Sequence, residues 1–170
     1  MTARVSFLTL AADLGYAYAR EHFTCPLPFR ARTLDKTRDH IMIDGNTTAG
    51  LGCLFAGATV GAWYPITPST SVMDSFKRFC EKYRKDPETG KANYCIIQAE
   101  DELGAIGMVL GASWNGARSF TPTSGPGISL MNEFLGYGYF TEIPAVLFDV
   151  QRCGPSTGMP TRTQQADLMA

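Results

Sequence analysis

YCIIQAEDELGAIGMVLGASW, residues 94–114, changes character halfway along. Residues 94–99 form a short apolar run of strand length, and residues 102–114 form a longer, glycine-spaced apolar run of helix length. Between them stand three carboxylates in a row, Glu100, Asp101 and Glu102. A strand, a tight acidic turn and a helix in one stretch is the repeating unit of an α/β fold. The acidic triplet has two readings at this point. Negative side chains suit the positive end of a helix dipole, and one of the three can also be a working acid or base.

The same unit recurs on both sides. Upstream, Ile41-Met42-Ile43 reads as a short strand closed by the turn signal Asp44-Gly45-Asn46, followed by a buried helix over residues 47–59. Residues 61–66 read as a second strand closed by Thr67-Pro68, and residues 70–85 as a helix. In that helix Val72, Phe76, Phe79 and Tyr83 fall on one face, and Ser71 with Asp74 resembles a capping box. Downstream, residues 117–121 read as a strand, residues 127–140 as a helix loosened by Gly136 and Gly138, and residues 144–150 as a last, almost wholly apolar strand. Strands of that composition are expected where helices cover both faces of a parallel sheet. The expected fold class is therefore α/β, a parallel sheet with helices on both faces, over residues 41–170. Residues 1–40, with CPLPFRART near their middle, read as a linker or extended arm from a preceding domain.

Composition narrows the function classes. The chain has 170 residues, 45% hydrophobic, with a formal net charge of −1. That is an ordinary globular balance, and it argues against a basic nucleic-acid binder or a membrane-docking surface. The longest apolar stretch, residues 51–66, is too broken by glycine to span a membrane. Five cysteines at 25, 53, 80, 95 and 153 form no C-x-x-C pair, which points to a reduced, cytoplasmic compartment and to Cys53, Cys80 and Cys95 as small core residues. His22 and His40 belong to no metal-ligand spacing, and no G-x-S-x-G nucleophile motif is present.

In a parallel sheet, ligands bind beyond the carboxyl ends of the strands. The loops expected there are Asp44–Asn46, Thr67–Ser69, Glu100–Glu102, residues 121–127 and residues 151–163. The glycines at 45–52 and 125–127 invite a phosphate-loop reading but match neither G-x-G-x-x-G nor the lysine-bearing P-loop, and tight turns explain them equally. Lys77, Arg78, Lys82, Arg84 and Lys85 read as a solvated helix face. YPITPSTS, residues 64–71, sets Thr67 between two prolines, either as an aimed hydroxyl or as a plain helix-start turn. Arg152, just beyond a buried strand, is placed either to fork onto a carboxylate or to make a surface ion pair.

Taken together and in order, GNTTAGLG, YPITPSTS, QAEDELGAIG, TSGPGISLMNE and DVQRCGPSTGMPTRTQQAD resemble the α subunit of 2-oxoacid:ferredoxin oxidoreductases, the 2-oxoglutarate type above all. The resemblance covers residues 35–170. It implies a thiamine-diphosphate-binding fold, its pyrimidine-binding domain, continuing beyond Ala170 in a longer subunit. It assigns Glu102 to the pyrimidine ring nitrogen, Thr67 to the cofactor and substrate, Arg152 to the substrate carboxylate, and Thr161 to the neighbourhood of the substrate side chain. Thiamine chemistry needs an ylid at the thiazolium carbon, and a buried carboxyl on the far ring nitrogen favours the tautomer that generates it.

The implied reaction is coenzyme-A-dependent oxidative decarboxylation of a 2-oxoacid, with electrons passed to ferredoxin. The resemblance places Mg2+ and the diphosphate on a β subunit and the [4Fe-4S] cluster on a partner chain or domain, with the cofactor shared between chains. Two alternatives stay open. One is specificity for pyruvate or a branched-chain 2-oxoacid. The other is a thiamine-fold module that docks a partner without catalysis.

Overall fold

The computed structural model describes residues 2–29, 31, 32 and 34–152. The chain divides into two compact units, Met1–Ile41 and Met42–Ala170.

The first unit holds helix α1 (Thr2–His22) and a 3-10 turn (Asp35–Thr37). The helix corrects the expectation of irregular chain before residue 41. It contains one glycine and no proline, and Arg20 and His22 suit its last turn. Its apolar residues are spread around the axis, with Phe7, Leu8, Leu10 and Leu14 all exposed. No amphipathic period therefore marks it in the sequence. No helix among the described residues is long and apolar enough to cross a membrane.

The second unit is an α/β layer structure. Its elements run α2 (Gly45–Phe55), β1 (Val60–Trp63), α3 (Thr70–Tyr83), β2 (Cys95–Gln98), α4 (Glu102–Trp114), β3 (Ser119–Thr123), α5 (Gly125–Phe140) and β4 (Val146–Asp149). The four strands are parallel, in the order β2-β1-β3-β4. The chain steps from β1 outward to β2 and then leaps back across β1 to β3. Successive crossovers of one hand in opposite directions place their helices on opposite faces. One face carries Cys53, Leu54, Val72, Met73, Phe76 and Phe120, drawn from α2, α3 and β3. The other carries Ala62, Ala99, Ala105, Ile106, Val109 and Met131, drawn largely from α4 and α5. Strand side chains alternate between the two, so Leu147 packs with the second cluster and Phe148 with the first. Phe120 meets Phe76 edge-on at 4.8 Å and Phe148 at 5.8 Å.

Two local features shape the carboxyl edge. At Gly50 a Cβ would sit 2.8 Å from the Phe76 nitrogen and 2.9 Å from the Val72 carbonyl, so only glycine lets α2 lie directly on the backbone of α3. In β3, Pro122 stands in a central strand. The Arg118 carbonyl accepts from β1-side amides, and Thr123 bonds to Val150 on the β4 side. By alternation, Pro122 turns its nitrogen toward β1, where it has no hydrogen to give. Pairing of β1 with β3 accordingly ends at Gly61–Phe120, whereas β3 pairs with β4 as far as Thr123–Asp149. The two central strands part at their carboxyl ends, at the point where the order of crossovers reverses.

Several expectations need correction. Ile41-Met42-Ile43 is not a strand: its side chains are exposed and none of the described residues forms a ladder with it. Ser71 and Asp74 form no capping box. The helix starts at Thr70, with Ser69 at its N-cap, and Ser71 lies inside it. The buried face of α3 is Val72, Met73, Phe76 and Cys80, while Tyr83 is exposed. Cys95 is exposed because β2 is an edge strand. The last strand, at the opposite edge, is only partly covered.

Candidate active site

The carboxyl ends of four parallel strands bring the distinctive loops to one edge of the sheet. Beyond β1, the Ile66 carbonyl accepts from the Ser69 amide at 2.8 Å and from the Ser69 hydroxyl at 2.8 Å, closing a tight turn around a cis Thr67–Pro68 peptide. Thr67 is exposed on this turn. Its carbonyl oxygen accepts a hydrogen bond from Arg152 Nη1 at 2.9 Å. The Asn46 amide reaches the same turn, donating from Nδ2 to the Pro68 carbonyl at 3.0 Å and to the Ser71 hydroxyl at 2.8 Å.

Beyond β2 the acidic triplet separates by role. Glu100 is exposed. Asp101 is the N-cap of α4, its Oδ1 accepting from the Gly104 amide at 2.6 Å. Glu102, the first residue of the helix, is buried at 7% exposure. The glycines that follow let a ring close in: the Phe134 side chain of α5 lies 3.0 Å from where a Gly107 Cβ would stand.

Beyond β3 the chain turns into α5 through Ser124-Gly125-Pro126-Gly127. A Cβ on Gly127 would overlap the Thr123 hydroxyl and lie 3.1 Å from Glu102 Cγ. Glycine is required there by contact with both side chains. The hydroxyls of Thr121, Thr123 and Ser124 are buried and have no hydrogen-bond partner. Ser124 occupies the N-cap of α5 without its side chain capping the helix. An unmet buried hydroxyl costs about 1–3 kcal/mol, and Thr123 and Ser124, at the carboxyl end of β3, are the two of these hydroxyls that lie where a ligand of this sheet edge would approach.

Beyond β4, Arg152 is buried at 8% exposure. The structure thus joins Thr67 and Arg152 directly, sets Glu102 at the same sheet edge, and shows no bond between Glu102 and the other two. Thr161 lies outside the described residues. The hydroxyls of Thr123 and Ser124, and the amide of Asn46, are site features that the sequence reading did not single out. Two threonines flanking a proline, directly before a Ser-Gly-Pro-Gly turn, were the available signal.

An apolar cavity lined by Ala49, Cys53, Ala58, Ser119, Phe120 and Val146 lies toward the amino edge of the sheet, away from these groups. No group of three or more His, Cys, Asp or Glu side chains among the described residues is placed to hold a metal ion.

Comparison with known proteins bears on this edge. Residues 51–170 match the family described as pyruvate flavodoxin/ferredoxin oxidoreductase, thiamine diP-bdg. The chain is 40% identical over 164 residues to the 2-oxoacid:ferredoxin oxidoreductase subunit alpha of Saccharolobus solfataricus, covering 95% of this chain and 25% of that protein. It is 46% identical over 127 residues to the 2-oxoglutarate synthase subunit KorA of Methanocaldococcus jannaschii, covering 75% of this chain and 32% of that one. Among solved structures, the 2-oxoglutarate:ferredoxin oxidoreductase from Magnetococcus marinus, with 2-oxoglutarate, coenzyme A and succinyl-CoA bound, matches with a TM-score of 0.75 at 40% identity. That match covers 96% of this chain and 27% of the other. The chain spans about a quarter to a third of the length of these relatives. Parallel sheet, buried glutamate and family match agree, and the chain belongs to the thiamine-diphosphate-binding family of pyruvate flavodoxin/ferredoxin oxidoreductases.

Proposed function

We propose that this chain is the pyrimidine-binding part of the α subunit of a 2-oxoglutarate:ferredoxin oxidoreductase. Such an enzyme converts 2-oxoglutarate and coenzyme A to succinyl-CoA, carbon dioxide and two electrons for ferredoxin. The observation that carries the reading is the buried Arg152, bonded to Thr67 at the sheet edge that also buries Glu102. The names of the relatives from Methanocaldococcus jannaschii and Magnetococcus marinus support the choice of 2-oxoacid.

The residues present fit thiamine diphosphate. A buried carboxyl, the unpartnered hydroxyls of Thr123 and Ser124 and a glycine that admits no Cβ make a close polar cradle for a heteroaromatic ring. When bound, the cofactor supplies a carbon that attacks the keto group and takes up the electron pair released with carbon dioxide. Glu102 holds a proton at the ring nitrogen of the aminopyrimidine. Burial keeps water from competing for that bond. Thr123 and Ser124 offer hydroxyls to the ring's polar edge. Arg152 orients the substrate by a charge-assisted bond to its carboxylate, and Thr67 lines the same pocket from the facing strand. Thr161 is assigned to the substrate side chain.

The described residues hold no cluster of metal ligands. We assign Mg2+ and the diphosphate to a β subunit, and the [4Fe-4S] cluster to a partner chain or domain. Coenzyme A and ferredoxin are the co-substrates, and the cytoplasm is the compartment. The reading is tested by coenzyme-A-dependent dye reduction with 2-oxoglutarate in the assembled enzyme. Inactivity of a fully loaded complex would overturn it.

A further inference from the structure

We propose that Asn46 is a positioning residue for the substrate pocket, acting through the 67–68 corner on Thr67 and Arg152. The inference rests on the proposed function for its substrate, while the geometry behind it stands alone. Two consecutive carbonyls of the corner are held by side chains from two different parts of the chain, the start of α2 and the segment after β4. The Thr67 carbonyl accepts from Arg152 at 2.9 Å and the Pro68 carbonyl from Asn46 at 3.0 Å. The proline ring between them removes one backbone torsion, so a displacement of one carbonyl is passed to the other.

Asn46 is itself firmly anchored. It sits in the first turn of α2, which Asp44 caps through bonds from the Thr47 amide at 2.8 Å and the Thr47 hydroxyl at 2.6 Å. One turn later Gly50 lies against the backbone of α3. The Asn46 side chain also donates to Ser71 inside α3, so one amide ties the start of α2 to the turn and to the helix that follows it. The Arg152 guanidinium spends Nη1 on the Thr67 carbonyl. The position of that carbonyl is therefore one of the constraints on the direction in which the planar guanidinium faces a substrate carboxylate. Moving the corner turns the arginine and shifts Thr67, while Glu102, on a separate element, stays in place.

The test uses the complete enzyme, full-length subunit with its partner, carrying Asn46→Asp. This change keeps size and shape but sets an oxygen against the Pro68 carbonyl. KM for 2-oxoglutarate is expected to rise about tenfold or more, the loss of a hydrogen bond to a well-placed acceptor. Turnover is expected to change less than about threefold. Ser71→Ala, which leaves the Pro68 bond in place, should do little. Because Asn46 acts through Arg152, Asn46→Asp and Arg152→Lys should be strongly non-additive in KM. Hydrogen exchange of the unliganded protein gives a readout free of activity: Asn46→Asp should speed exchange over residues 64–71 and leave residues 102–114 unchanged. Unaltered exchange over residues 64–71, or additive KM effects in an active enzyme, would overturn the inference. Loss of activity in the wild type, with the exchange result intact, would overturn the proposed function instead.

Discussion

Arg152 donates to the carbonyl oxygen of Thr67 at 2.9 Å across 85 residues of chain. The two residues follow β4 and β1, which are not neighbours, since β3 lies between them. The arginine therefore arches over the end of β3, where the Thr123 and Ser124 hydroxyls are buried without partners. Pro122 makes room for this arch by ending the ladder between β1 and β3.

Arg152→Lys should raise KM for the 2-oxoacid by about tenfold or more, because a lysine gives a point charge in place of a planar fork. Arg152→Ala should raise it further. Steady-state kinetics on the assembled enzyme decide the matter, and an unchanged KM for every 2-oxoacid tried would remove Arg152 from the pocket.

Glu102→Gln keeps the shape of the buried side chain and removes its acid. Turnover should fall by on the order of a hundredfold, the usual weight of a positioned acid–base group. Far-ultraviolet circular dichroism should stay unchanged. Near-normal turnover in a folded, cofactor-loaded enzyme would end the assignment.

Gly127→Ala puts a methyl group into space held by the Thr123 hydroxyl and Glu102 Cγ. Overpacking of this kind costs about 1–3 kcal/mol. Melting temperature should drop, and thiamine diphosphate should bind at least about tenfold more weakly. Thr123→Val, which exchanges the hydroxyl for a methyl group of similar size, should weaken the cofactor with no loss of melting temperature, because the hydroxyl lacks a partner in the free protein. Calorimetric titration separates the two effects, and cofactor affinity unmoved by Thr123→Val would take that hydroxyl out of the cradle.

Burial pushes the thiols of Cys53 and Cys80 up to about 11 from an ordinary 9.0. Few thiolates exist there at neutral pH, so an alkylating reagent should modify the exposed Cys25 and Cys95 first. Peptide mass spectrometry reads this order directly. The linked stability follows the same sign. A raised folded value leaves it whole below pH 9, and it is lost as pH climbs toward 11. Cys53→Ala with Cys80→Ala should flatten that alkaline loss.

Much of this was readable in the chain itself. The strand–turn–helix unit at residues 94–114 gave the layer type, and the helix it announced runs over Glu102–Trp114 as read. In the acidic triplet, nothing local separates the capping Asp101 from the buried Glu102; the glycines behind Glu102 and the resemblance are what single that residue out. Helix α1 was not legible, because its exposed leucines and aromatics follow no single face. Residues 41–43 misled because β-branched composition says nothing about whether a partner strand exists. Cys95 misled in the same way, for edge position is a property of the sheet and not of the run. The bonds from Arg152 to Thr67 and from Asn46 to Pro68 join residues 85 and 22 apart, and no local pattern encodes a contact of that range.

The most direct measurement is coenzyme-A-dependent viologen reduction without oxygen, by the full-length subunit assembled with its β partner and loaded with thiamine diphosphate and its cluster. 2-Oxoglutarate would be compared with pyruvate. The account predicts rapid reduction with 2-oxoglutarate, strict dependence on coenzyme A, and little with pyruvate. Reduction with pyruvate instead would keep the chemistry and overturn the substrate, and no reduction with either in a fully loaded complex would contradict the proposed reaction.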